Sequence, residues 1–505
     1  VYYKKQKIST MKKILCLLFT TMQISVLFAQ LPYTIIGTNV TMCYGNSAPI
    51  ACPTNSTEAF YGQYQGVTPS YYDNGDGTIT DLNTGLIWIK ERGTKTTWDS
   101  AFINAENCST GGFNDWRVPT IKELFSLIDF NGKSGPSAPQ CIAYLDTNYF
   151  QMAYGNLTEG ERIIDAQDWS STQYTSLTMN GDTTIFGVNF VDGRIKGYPK
   201  YTPPSFTEGQ KMFVRFVRGN SNYGINNFVD NGDNTITDSA TGLMWMKDDS
   251  QLAMNWEAAL AWAQTKNSLN YLGYNDWRLP DTKELQSIVD YTRSKDFSSS
   301  AAIDPKFNCT TITDEGGFTN WPWYWSNTTH LDNMYGVYVT FGEALGYMKM
   351  PPTATYYTLV DVHGAGAQRS DPKSGSVTSF YLGTDQLGDS VYGQGPQGDV
   401  IRINNYVRLV RTVTSINGIN QPENNELDFN IMPNPANTTV TVTFNFQVAE
   451  AVEVNLLNCM GAPVKQIKNL ESVVNTIDVS DLPKGLYFIV LHTTTNSFTK
   501  KLIIN

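Results

Sequence analysis

Apolar residues along this chain follow two periodicities that alternate and then return. Trp98, Ala101, Phe102 and Ala105 recur at helical spacing, as do Trp256, Ala259, Leu260 and Ala263, so each set predicts an amphipathic helix with one buried face. Ahead of each lies a polar turn and a short strand: Asp73 to Asp81 leads into the apolar run Leu86 to Ile89, and Asp230 to Asp238 leads into a run ending at Trp245. After each comes an extended Asp-Trp-Arg segment, kept out of helix by Pro119 and Pro280. Thr120 or Asp281 then caps a second predicted helix, whose apolar face is Leu124, Leu127 and Ile128, or Leu285, Ile288 and Val289. Strands and long loops follow.

The pattern is a repeat. The segment Asn114 to Leu124 returns as Asn275 to Leu285, Trp169-Ser-Ser-Thr172 returns as Trp325-Ser-Asn-Thr328, and each copy closes on paired arginines, Arg215 with Arg218 and Arg408 with Arg411. The order never changes. The copies span 71–220 and 228–413, after a lead-in at 33–70 and before a linker at 414–428. The second copy holds an extra stretch, Met350 to Val400, rich in Gly, Tyr and Asp. Insertions of that kind are surface loops, where binding function concentrates. A third module, 429–505, alternates Val440, Val442, Phe444 and Phe446 and reads as short strands, a small sandwich.

Met11, Lys12 and Lys13 followed by an apolar run to Phe28 predict a signal peptide at 11–29, too short to span a bilayer, and no other segment is apolar enough to do so. Export permits disulfides. Cys43 and Cys52 enclose a short loop and Cys108 and Cys141 bracket the first repeated motif, which makes both pairs candidate bridges; Cys309 and Cys459 are expected to be free buried thiols.

The series Asp73-Asn-Gly-Asp-Gly-Thr78, Thr84-Gly-Leu-Ile-Trp88, Asp115-Trp-Arg-Val-Pro-Thr120 and Trp169-Ser-Ser-Thr172 resembles the Lcl C-terminal (collagen-like protein C-terminal) domain family, and the second copy does so equally. The order of elements also resembles the C-type lectin fold. The resemblance implies two tandem α+β C-type-lectin-like domains of surface or secreted modules, some linked to adhesion and glycan binding, without an established catalytic role. Ile431-Met-Pro-Asn-Pro435, Leu482-Pro-Lys-Gly-Leu-Tyr487 and Lys500-Lys-Leu-Ile-Ile-Asn505 resemble the C-terminal sorting domain of type IX secretion substrates. That likeness implies an all-β immunoglobulin-like sandwich, contact with the type IX machinery and a place at or beyond the outer surface of a Gram-negative cell.

A net charge of -11 excludes a nucleic-acid binder, which needs a clustered positive surface. The three histidines, His330, His363 and His492, lie outside the shared motifs and no nucleophile or zinc-protease spacing occurs, so the chain does not read as an enzyme; carboxylate pairs of a glycoside hydrolase meet only in space and leave that as a minor alternative. Asp73, Asp76, Asp81, Asp230, Asp233 and Asp238 surround Gly-containing turns, where they either bond to their own backbone or supply oxygens to calcium. Arg117 and Arg278 are expected to pair with Glu123 and Glu284. Trp321, Trp323, Tyr324, Asp332, Asn333, Tyr335 and Tyr338 combine rings with amide and carboxylate groups after the second Trp-Ser motif. They either bind a sugar or close the core beneath the insertion. The reading that results is a surface binding or adhesion protein for extracellular glycans or other polymers. The alternative is a structural surface or matrix component with no small ligand.

Overall fold

The computed structural model describes residues 31–51, 66–202, 208–330, 334–413, 429–444, 452–458, 462–470, 472–492 and 497–504. The signal-peptide segment, Cys52, Asp332, Asn333, the linker and Cys459 lie outside them. The chain forms two compact units, residues 1–416 and 417–505. No helix among the described residues is long and apolar enough to cross a membrane.

In the first unit each copy opens with a three-stranded meander, Tyr71–Asp73, Thr78–Asp81 and Leu86–Ile89, or Phe228–Asp230, Thr235–Asp238 and Leu243–Met246. Its closing strand, Val217–Gly219 or Val410–Thr412, returns to pair with the third of these. The predicted first helices are present as Trp98–Glu106, capped by Thr97, and Trp256–Ser268, capped by Asn255. The second are one and a half turns long, Ile121–Ser126 and Thr282–Ser287. Each starts with a reciprocal capping box, Thr120 with Glu123 and Asp281 with Glu284.

The expectation of two α+β C-type-lectin-like domains is overturned. Strands dominate, the helices are few and short, and the main sheet does not close within a copy. Strands Asp168–Thr178, Asp182–Asn189 and Arg194–Pro199 of the first copy and Trp323–Thr329, Tyr335–Thr340 and Gln368–Pro372 of the second form one antiparallel sheet of six. They meet where Gln368 pairs with Ile195. An exposed edge strand is an unpaired row of backbone donors and acceptors, and each copy covers the other's. The largest core follows the sheet across the junction, joining Trp88, Phe125 and Phe186 to Trp245, Tyr324 and Phe341. The insertion supplies four strands of a separate five-stranded sheet, Thr358–Asp361, Tyr381–Thr384, Ser390–Gln394 and Asp399–Val400, and Leu345–Met348, which precedes it, supplies the other.

The second unit stacks a three-stranded sheet, Phe429–Met432, Thr439–Phe444 and Val474–Asp478, on a four-stranded one. Alternate residues of both, among them Val440, Val442, Leu456 and Ile489, form its core.

Candidate functional site

The doubled motif turns out to be a fastening. Arg117 binds Glu123 through two hydrogen bonds of 2.6 and 2.5 Å, and Arg278 binds Glu284 at 2.6 and 2.7 Å, as the spacing suggests. These pairs hold each strand-to-helix corner. The lysine of each motif instead crosses to the other copy. Lys122 Nζ donates to the Ser287 carbonyl at 2.6 Å and Lys283 Nζ to the Ser126 carbonyl at 2.9 Å. Each ammonium thus sits at the C-terminus of the opposite short helix, where unpaired carbonyls and the helix dipole favour a cation. Burial pushes both ammonium groups down to about 8.

The aspartates of the repeated turns do not converge. Asp73 Oδ1 accepts from Gly75 N and its Oδ2 faces Lys90 at 2.6 Å; Asp76 Oδ1 accepts from the amide and hydroxyl of Thr78; Asp81 Oδ1 accepts from Asn83 and Thr84. Asp230, Asp233 and Asp238 repeat this with Gly232 and Lys247, Thr235, and Ala240. Among the described residues no group of three or more His, Cys, Asp or Glu could hold a metal ion. Of the two readings the turns offered, the hydrogen bonds match the first: these carboxylates shape hairpins by accepting from the amides of their own turns.

Two more expectations change. Cys108 and Cys141 are free thiols, each packed in a different apolar cluster, so they form no bridge; the Cys43–Cys52 pair includes Cys52, outside the described residues. Of the proposed ligand residues, Trp323 is 1% exposed, Tyr324 0% and Tyr338 2%. Trp323 and Tyr338 stack in parallel at 4.8 Å, and the Arg402 guanidinium lies 3.9 Å over the Trp323 ring. Their ring faces are spent on one another. Trp321 and Tyr335 are half-buried, and Asp332 and Asn333 lie outside the described residues.

The structure brings other residues together. A cleft of about 470 Å³ opens where the strand Arg194–Pro199 of the first copy meets the insertion of the second. Asp192, Arg194 and Lys196 stand on one wall; His363, Arg369 and Asp399 stand on the other. Gly197 lets the walls approach, since a Cβ there would lie 2.5 Å from the His363 carbonyl. Lys196 and Asp192 form an ion pair, as do Arg369 and Asp399. Burial alone would raise the Asp192 carboxyl, but the charges of Lys196 and Arg194 outweigh it and hold it below the ordinary range. Lys196 is pushed down to about 8 by burial, and burial with Arg369 close by keeps His363 neutral. Asp192 is 4% exposed and its Oδ1 has no partner; Arg194 Nε has none either. A buried polar atom left so is uncommon in a settled fold.

Sequence reasoning pointed to the insertion but not to these side chains. The cleft unites hairpin residues 192–196 with residues from 363 to 399, and no linear spacing signals that meeting. His363, lying outside the shared motifs within the extra stretch, was the one visible hint.

The family model described as the Lcl C-terminal domain matches residues 77–218 and 234–361, and that of the secretion system C-terminal sorting domain matches residues 430–505. No curated protein matches the chain. Among solved structures, a chain titled "Biofilm associated protein - BSP domain" aligns at 10% identity with a TM-score of 0.15, covering 67% of this chain and 51% of that one. The present chain thus spans about half the length of that relative, and so low a score carries no argument. The sorting domain indicates export to the cell surface or extracellular space. On the strength of the two tandem matches, this chain belongs to the Lcl C-terminal domain family, with a secretion sorting domain at its end.

Proposed function

We propose that this exported protein binds an extracellular polymer, with glycans the favoured class, in the cleft between its two copies, and that it does so at the outer surface of a Gram-negative cell. The observation that carries the reading is the unpartnered, buried Asp192 Oδ1 in a polar cleft with Arg194 Nε unpaired beside it. A ligand rich in hydroxyls supplies donors and acceptors for both. The second wall comes from residues beyond 361, where the family match stops, so the recognising surface is this chain's own. Burial of Trp323, Tyr324 and Tyr338 favours a second reading, a structural surface component without a small ligand.

A glycan array probed with the full chain separates the two. Binding that falls at least about tenfold in Arg194→Ala, with unchanged melting temperature, supports the cleft; an array blank at every spot overturns it in favour of the structural component.

A further inference from the structure

A second pocket, of about 260 Å³, lies within the second copy. Ile312, Pro322, Trp323 and Tyr406 give it apolar walls, and Glu315 and Arg402 line it as a closed pair, joined by two hydrogen bonds of 2.7 and 2.6 Å. Asn405 also lines it. This residue is 1% exposed; its Nδ2 donates to the Arg402 carbonyl at 3.0 Å, but its Oδ1 accepts nothing.

The repeat supplies an internal comparison. Asn405 precedes Val407 and Arg408 as Met212 precedes Val214 and Arg215. The backbone places agree, since Asn405 bridges to Met254 as Met212 pairs with Thr96. Met212 is buried in the apolar cluster of the first copy. The fold therefore accepts a plain hydrophobe at this position, and an amide with an unpaired carbonyl is the less stable choice.

We propose that this pocket is a binding site for one uncharged, polyhydroxylated ring, a neutral sugar residue, with a ring hydroxyl donating to Asn405 Oδ1. Three observations set that class. The Glu315–Arg402 pair cancels its own charge, so the ligand needs none. The pocket lies below the roughly 300 Å³ at which sites for drug-sized ligands begin, which suits a single ring. The walls formed by Pro322, Ile312 and Tyr406 suit the C–H face of such a ring, while Glu315 accepts from its hydroxyls. The site shares no lining residue with the cleft between the copies and stands whether or not the cleft binds.

The test is calorimetric titration and saturation-transfer NMR on the full chain, with glucose, galactose, mannose and N-acetylglucosamine, and with capped tripeptides as a second panel. One neutral sugar is expected to bind saturably. Its affinity is expected to fall at least about tenfold in Asn405→Met, with melting temperature kept or raised. Should Asn405→Met fail to fold, Glu315→Gln carries the test, with a loss of the same size expected. Absence of binding by all four sugars, equal binding by the variants, or binding of a tripeptide in their place would each overturn the proposal.

Discussion

Arg215 and Arg408 carry more of the first unit than their place beside a strand end suggests. Each is fully buried and donates to three carbonyls, Arg215 to those of Ile89, Lys90 and Gln151, and Arg408 to those of Met246, Lys247 and Asn308. The neighbouring arginines, Arg218 and Arg411, reach outward to Asp115 and Asp276. Strand alternation announces that the two members of a pair part company. It does not say that the inner one serves backbone carbonyls, because those carbonyls come from segments distant in sequence. Arg215→Leu leaves three buried acceptors without donors and is expected to destabilise the unit by about 3 kcal/mol or more. Chemical denaturation checks this.

Buried acids at the same scale make stability depend on pH. Burial raises Asp371 to about 8, and Asp361, whose carboxyl also feels Glu343, to about 7. The folded molecule keeps these protons where the unfolded chain, with an ordinary carboxyl near 3.8, has released them. Their contribution is full below that value and fades as pH rises through 7 to 8. Melting temperature is therefore expected to fall across this range, and Asp371→Asn is expected to flatten the fall. The thiols give a further check: Cys108, Cys141 and Cys309 are expected to alkylate without reduction once the chain is unfolded. A Cys43–Cys52 peptide is the bridge we propose, since the hairpin pairing Cys43 with Ile50 returns the chain towards it.

Among elements, the capping-box helices are where local and distant information meet. The N-terminus of each is written locally, in Thr120 with Glu123 or Asp281 with Glu284. The C-terminus is finished by the other copy's lysine. Six residues make a helix too short to stand alone, so the exchange of Lys122 and Lys283 completes both at once. Replacing either lysine by Met is expected to cost about 1 to 3 kcal/mol. The double variant is expected to cost less than the sum, because the two contacts are parts of one interface. A thermodynamic cycle over the four proteins measures that coupling.

At the scale of the whole molecule, the shared sheet makes the two copies one folding unit. Calorimetry is expected to resolve two transitions, for residues 1–416 and 417–505, rather than one for each copy and a third for the tail. A first copy produced alone would bare the edge strand Arg194–Pro199, which the second copy otherwise covers, and is expected to associate or aggregate on light scattering. What the sequence by itself determined was everything written within one copy: the repeat, the order of turns, strands and capped helices, the Arg–Glu corners, and the family that these motifs announce. Each depends on residues a few positions apart, where periodicity and capping act. Only the tertiary structure decided that the two main sheets fuse, that Trp323 and Tyr338 spend their faces on each other, and that a polar cleft opens between Asp192 and Asp399. The fused sheet and the cleft depend on which edge meets which, and contacts across more than a hundred residues leave no period in the chain; the ring stack depends on the register of two neighbouring strands, which alternation alone does not set.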